Sequence, residues 1–168
     1  MPGLGDRKHS FPPVVDRHVR LLILGSLPGD RSLAEQRYYA HPQNQFWLLA
    51  GEVIERDVAG LPYPDRLAAL LQAGVGLWDV VGSARRPGSS DAAIRDTAPN
   101  DLLSLVDTLP HLHAIGFNGR TSFAIGTRAL AGRRPDIARV ALPSSSPLYT
   151  VGLAAKRAAW HALRMFLA

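Results

Sequence analysis

The run Val19–Arg20–Leu21–Leu22–Ile23–Leu24–Gly25 constrains this chain more than any other feature. A nearly continuous apolar stretch of strand length, closed by a glycine, suits a strand covered on both faces, because neither side can be left to water. Stretches 75–81, 112–117 and 137–142 have the same character. Between them lie helical patterns over 45–55, 64–72, 101–109 and 121–130, and a last helix is expected over 153–167. Strands alternating with helices predict an α/β fold with right-handed crossovers, in three α/β/α layers around a four-stranded, mainly parallel sheet. Residues 1–18, with Pro12 and Pro13, read as an N-terminal arm, and 19–168 as one domain. A chain of 168 residues is an ordinary size for a single core.

In such sheets ligands bind beyond the carboxyl ends of the strands. The loops to read for chemistry are therefore 25–30, 79–90, 118–120 and 143–150. All are rich in Gly, Pro, Ser, Asn or Asp, as site loops are and as ordinary turns are too. The first, Gly25–Ser26–Leu27–Pro28–Gly29–Asp30, has neither the G-x-x-x-x-G-K-[ST] nor the G-x-G-x-x-G spacing, so it is no nucleotide or dinucleotide cradle.

Composition removes further classes. There is no cysteine, hence no disulfide framework, thiolate metal site or cysteine nucleophile. The six histidines and fourteen acids show no metal-ligand spacing, so neither metal nor cofactor is implied. Residues 2–10 lack the apolar segment of a signal peptide, and no apolar run approaches the roughly 20 residues that span a bilayer. The expectation is a cytoplasmic, nucleoid-associated monomer with no membrane partner. The net charge is +5, and all but two of the 19 basic residues are arginine. Arginine suits phosphate and a nucleic-acid partner; a GC-rich genome produces the same bias.

Fifteen residues after Gly25 stands Ala40–His41–Pro42–Gln43–Asn44–Gln45–Phe46–Trp47, preceded by Tyr38–Tyr39. Together with G-S-L-P-G, this segment resembles the uracil-DNA glycosylase superfamily, and most of all its mismatch-specific uracil, thymine and hypoxanthine branch. Leu77–Trp78–Asp79 with Arg86–Pro87–Gly88–Ser89–Ser90–Asp91, then Phe117–Asn118–Gly119, then Pro143–Ser144–Ser145–Ser146, are similar to the later motifs of that family, in the same order. The resemblance spans about residues 19–166. One departure stands out: the family's usual first motif carries an asparagine that positions the attacking water, and Leu27 stands there instead. The hypoxanthine-excising branch also lacks that asparagine and has a similar G-S-x-P-G.

The resemblance implies an enzyme that flips a nucleotide, sandwiches the base, stabilises its anion and brings water to C1′. Ser26, Leu27, Tyr39, His41 and Asn118 are then expected at the base. Tyr39 would stack on it or pack in the core, and His41 would order its loop or touch base or phosphate. Asn118 would serve the base or simply an Asn–Gly turn. Asn44 would cap the next helix or replace the water-handling group lost at Leu27; Asp79 would cap its loop or act on a base N–H or a water. Ser144, Ser145 and Ser146 would clamp phosphates, and Leu148 would wedge into the gap left by the flipped base. Arg157, His161 and Arg164 share one helical face, which reads as solvated surface.

No lysine falls in these motifs, so a Schiff-base lyase step is not expected. The expected function is a monofunctional DNA glycosylase in base excision repair, its partner DNA containing uracil or another deaminated base. Uracil is the first choice and hypoxanthine the alternative. A catalytically weak binder of damaged or abasic DNA, and a nucleotide-binding regulatory domain, are the rivals from other classes.

Overall fold

A computed structural model describes residues 7–168. In chain order the elements are β1 (Arg7–His9), β2 (Leu21–Gly25), α1 (Asp30–Glu35), α2 (Phe46–Val53), α3 (Tyr63–Gln72), β3 (Val75–Asp79) and β4 (Val81–Arg85). They continue with β5 (Arg95–Pro99), α4 (Leu102–Asp107), β6 (Ala114–Asn118), α5 (Arg120–Leu130), β7 (Ala138–Leu142) and α6 (Leu153–His161). Single-turn 3-10 segments occupy Asp91–Ala93 and Ala162–Phe166.

The main sheet has the order β3-β2-β6-β7 and is parallel throughout. Every residue of β2 and β6 is buried, which is why both read as unbroken apolar runs. Alternation along β2 divides the core. Leu21 and Ile23 pack with Phe46, Leu49, Leu70 and Trp160, from α2, α3 and α6. Leu22 and Leu24 pack on the opposite face with Leu102, Val106 and Leu130, from α4 and α5. The result is the three-layer α/β/α arrangement expected of the sequence.

A second, three-stranded antiparallel sheet, β1-β4-β5, was not expected. Its strand β5 is exposed at every position, so no hydrophobic alternation marks it. The strand expected over 75–81 is in fact divided between the two sheets. Helix α1 also went unread, being six residues long. The last helix keeps its α-helical form only to His161 before tightening into the 3-10 turn.

Of the arm expected over 1–18, residues 1–6 lie outside the described residues, and the rest packs on the domain. Val14 and Leu77 exchange backbone hydrogen bonds of 2.9 Å, the Trp78 indole donates to the Phe11 carbonyl, and the Tyr38 hydroxyl donates to that of Pro12. Among the described residues no helix is long and apolar enough to cross a membrane.

Candidate active site

The strand ends of the main sheet bring its polar chemistry into one row. Gly25 on β2 stands in register with Asp79 on β3, and Asn118 on β6 pairs with Leu142 on β7. Gly25 separates the two polar side chains and must lack a side chain to do so. A Cβ there would lie 2.6 Å from Asp79 Oδ1 and 3.0 Å from the Tyr39 hydroxyl. Over this row opens a cavity of about 460 Å³, walled by all four strand-end loops and by the segment that carries Tyr39, His41 and Asn44. That is within the usual range for a small-molecule site.

A chain of hydrogen bonds crosses the cavity wall. Asn118 Nδ2 donates to the Tyr39 hydroxyl at 3.3 Å and to Ser145 Oγ at 2.9 Å, while Asn118 Oδ1 accepts from the Ser145 amide at 2.9 Å. Ser145 Oγ in turn donates to Asn44 Oδ1 at 2.8 Å. Asn44 Oδ1 also accepts from the Phe46 amide at 2.9 Å, closing a side-chain turn just before α2, which fixes which end of the side chain is oxygen. Both lone pairs of that oxygen are thus engaged, and Nδ2 is the end of the amide left over. Gln45, not Asn44, is the N-cap of α2, so the cap expected of Asn44 is instead a turn of its side chain onto the Phe46 amide, and Asn44 lines the cavity.

This network also redistributes the expected roles. Both Nδ2 protons of Asn118 are used inside the protein, making it the frame of the wall. Ser145, expected at a phosphate, is fully buried with its hydroxyl turned to Asn44. Ser144 and Ser146 line the cavity, each hydroxyl accepting from a backbone amide two residues on. Gly119, at φ 105° in the left-handed region, brings the Asn118 turn against Ser144. Tyr39 lines the cavity with its ring stacked on Phe46, centroids 3.9 Å apart, so one ring face belongs to the core. His41 sits exposed on the rim, with Nδ1 accepting from the Gln43 amide.

The opposite wall is electrostatic. Leu27 is buried in the core beneath it, while Ser26 donates to Asp91 Oδ1 at 2.6 Å. Arg86, 2% exposed, donates to the carbonyls of Pro28, Leu27 and Gly88 and faces Asp91 at 3.9 Å. Its guanidinium splints the first loop to the second; burial pulls its pKa down and the surrounding acids oppose that. Asp79 has no such support. It is 3% exposed, and its Oδ2 is buried with no hydrogen-bond partner. Burial, helped by the negative charge of Asp91 and opposed by Arg86, pushes its carboxyl up to about 7.

Sequence reading missed Arg86, Asp91 and Lys156 as parts of the site. The first two stood inside a quoted motif, with a basic and an acidic residue bracketing a Pro-Gly-Ser-Ser turn as the available signal. Lys156 gave none. It is buried under the serine loop, donating to Gln45 Oε1 at 2.8 Å and to the Ser146 carbonyl at 3.4 Å. Beyond it the loop ends in an apolar tip, Leu148 at 66% and Tyr149 at 43% exposure.

Residues 12–164 match the model of the Uracil DNA glycosylase superfamily. A hypoxanthine DNA glycosylase of Methanosarcina barkeri is 44% identical over 116 residues, covering 69% of this chain and 73% of that protein. A hypoxanthine DNA glycosylase of Methanosarcina acetivorans is 42% identical over 113 residues, covering 67% and 72%. The solution NMR structure of a candidate uracil DNA glycosylase from Methanosarcina acetivorans superimposes with a TM-score of 0.85 at 36% identity, over 96% of this chain and 99% of that one. On these matches this chain belongs to the Uracil DNA glycosylase superfamily and is a DNA glycosylase, hydrolysing N-glycosidic bonds.

Proposed function

We propose that the base this enzyme removes is hypoxanthine, from deoxyinosine in DNA, leaving an abasic site. The observation that carries this reading is the 44% and 42% identity to two hypoxanthine DNA glycosylases. Leu27 agrees with it: the first loop has G-S-L-P-G, and its leucine is packed in the core. Hypoxanthine therefore replaces uracil, the first expectation from sequence.

The flipped nucleotide enters the cavity base first, with Leu148 filling the gap it leaves in the stack and Ser144 and Ser146 meeting the flanking phosphates. Tyr39 offers the base the ring face that Phe46 does not cover. As the C1′–N9 bond breaks, positive charge grows on the sugar, and an oriented water needs little further activation. Asn44 Nδ2 donates to that water's oxygen and leaves a lone pair for C1′.

Single-turnover excision from duplexes containing one deoxyinosine or one deoxyuridine tests the choice of base. Faster release of hypoxanthine is expected. Faster release of uracil returns the first reading, and binding without release of either base makes the protein a damage binder.

A further inference from the structure

We infer that Asp79 is a catalytic acid: it meets the distal edge of the flipped base as a neutral carboxyl and protonates the base as it leaves. The inference rests on the hypoxanthine reading above and concerns the same cavity.

Depth decides which reactant Asp79 meets. The sugar stays tethered to the DNA backbone at the mouth, and with it C1′ and the attacking water. Asp79, the last residue of β3, lines that cavity at only 3% exposure, so the edge of the base farthest from the sugar is the part that meets it. Gly25, with no side chain beside Asp79 Oδ1, leaves the approach open.

The carboxyl is unprovided for in the free protein. Asn100 bonds only its backbone carbonyl, and Oδ2 has no partner. A buried polar atom without a partner is expensive, so one in a binding cavity marks where a ligand atom belongs. The charged and titratable groups around it agree on its state. Asp91, from the loop after β4, opposes its ionisation; Tyr38 and Tyr39 lie close enough that Asp79 raises their own pKa values. Arg86 favours the charged form, yet the hydrogen bonds it makes run to the carbonyls of Leu27, Pro28 and Gly88. Burial and Asp91 together outweigh it.

A neutral carboxyl has one O–H donor and one carbonyl acceptor. The six-membered edge of hypoxanthine has the matching pair, the O6 acceptor beside the N1–H donor. When the C1′–N9 bond breaks, its electron pair leaves with the base, and the negative charge spreads to O6. The Asp79 proton passes to O6 and the base departs neutral. Water bonds to C1′, and the proton it sheds restores Asp79 through solvent. An asparagine in this place can hold the edge but has no proton to give.

The test is the pH dependence of single-turnover release from a deoxyinosine duplex at saturating protein, between pH 5.5 and 9. Wild type is expected to slow as pH rises past about 7, approaching tenfold per unit. Asp79→Asn should bind the duplex as tightly, release hypoxanthine about a hundredfold or more slowly, and show no such decline. A flat wild-type profile overturns the inference without need of any variant. So does an Asp79→Asn profile that still falls as the wild type's does. Failure of wild type to release hypoxanthine at any pH is a different result, and it overturns the substrate reading itself.

Discussion

Ser145 Oγ lies 2.8 Å from Asn44 Oδ1, 101 residues away in sequence, and 2.9 Å from Asn118 Nδ2. This one hydroxyl accepts from the sheet and donates to Asn44, the amide proposed above to handle water. With Oδ1 engaged by Ser145 and the Phe46 amide, Nδ2 is the end of the cavity-lining Asn44 amide left for a ligand or water.

Ser145→Ala therefore removes a positioning group. Two buried polar atoms lose a partner, which should cost about 1–3 kcal/mol in stability. Excision should fall about tenfold to a hundredfold with lesion binding largely kept, because a small misplacement at the reacting atoms costs that much. Thermal melts and single-turnover rates measure the two effects. Unchanged rates in a folded variant would detach Ser145 from the chemistry.

Asp79 has a signature in stability as well. Its pKa is raised on folding, to about 7, so the native state keeps a proton that the unfolded chain loses near pH 4. Unfolding is then opposed most below pH 4, and the carboxyl weakens the fold progressively as pH climbs to about 7. Asp79→Asn should match wild type near pH 4 and exceed it above pH 7 by a few kcal/mol, on the order set by three pKa units. Denaturant melts at both pH values check this. A gap that does not widen with pH means the carboxyl is ionised in the native protein.

Leu148 stands exposed at the tip of its loop, and Leu148→Ala should slow excision from duplex more than from single strands. A wedge is needed only where a stack must be held open. Equal slowing on both substrates would point to a packing defect in the loop.

Tyr39→Ala should cost excision about tenfold to a hundredfold, since stacking on a base is worth about 1–3 kcal/mol. Its ring also covers Phe46, so some loss of thermal stability accompanies the change. Wild-type rates in the folded variant would remove Tyr39 from the base.

Much of the fold was legible because β2 and β6 are covered on both faces, and burial of that kind writes itself as an unbroken apolar run. The hairpin β4–β5 was not, since an exposed strand such as Arg95–Pro99 owes its form to a neighbour's hydrogen bonds. At the site, the gap at Leu27 and the amide at Asn44 were visible as residue types. Which of three successive serines turns inward was not, because Asn118 and Gly119 decide it from another strand. The role of Arg86 depends on carbonyls nearly sixty residues away. Nothing local to Asp79 announces that its carboxyl is left without a partner.

Asn44→Ala gives the most direct test of the account. It removes the cavity-lining amide proposed to stand in for the asparagine missing at Leu27. Single-turnover release of hypoxanthine from a deoxyinosine duplex should fall by about a hundredfold to a thousandfold, the usual loss for one well-placed donor. Binding to the same duplex should persist. A folded Asn44→Ala protein that releases hypoxanthine at the wild-type rate would contradict the account.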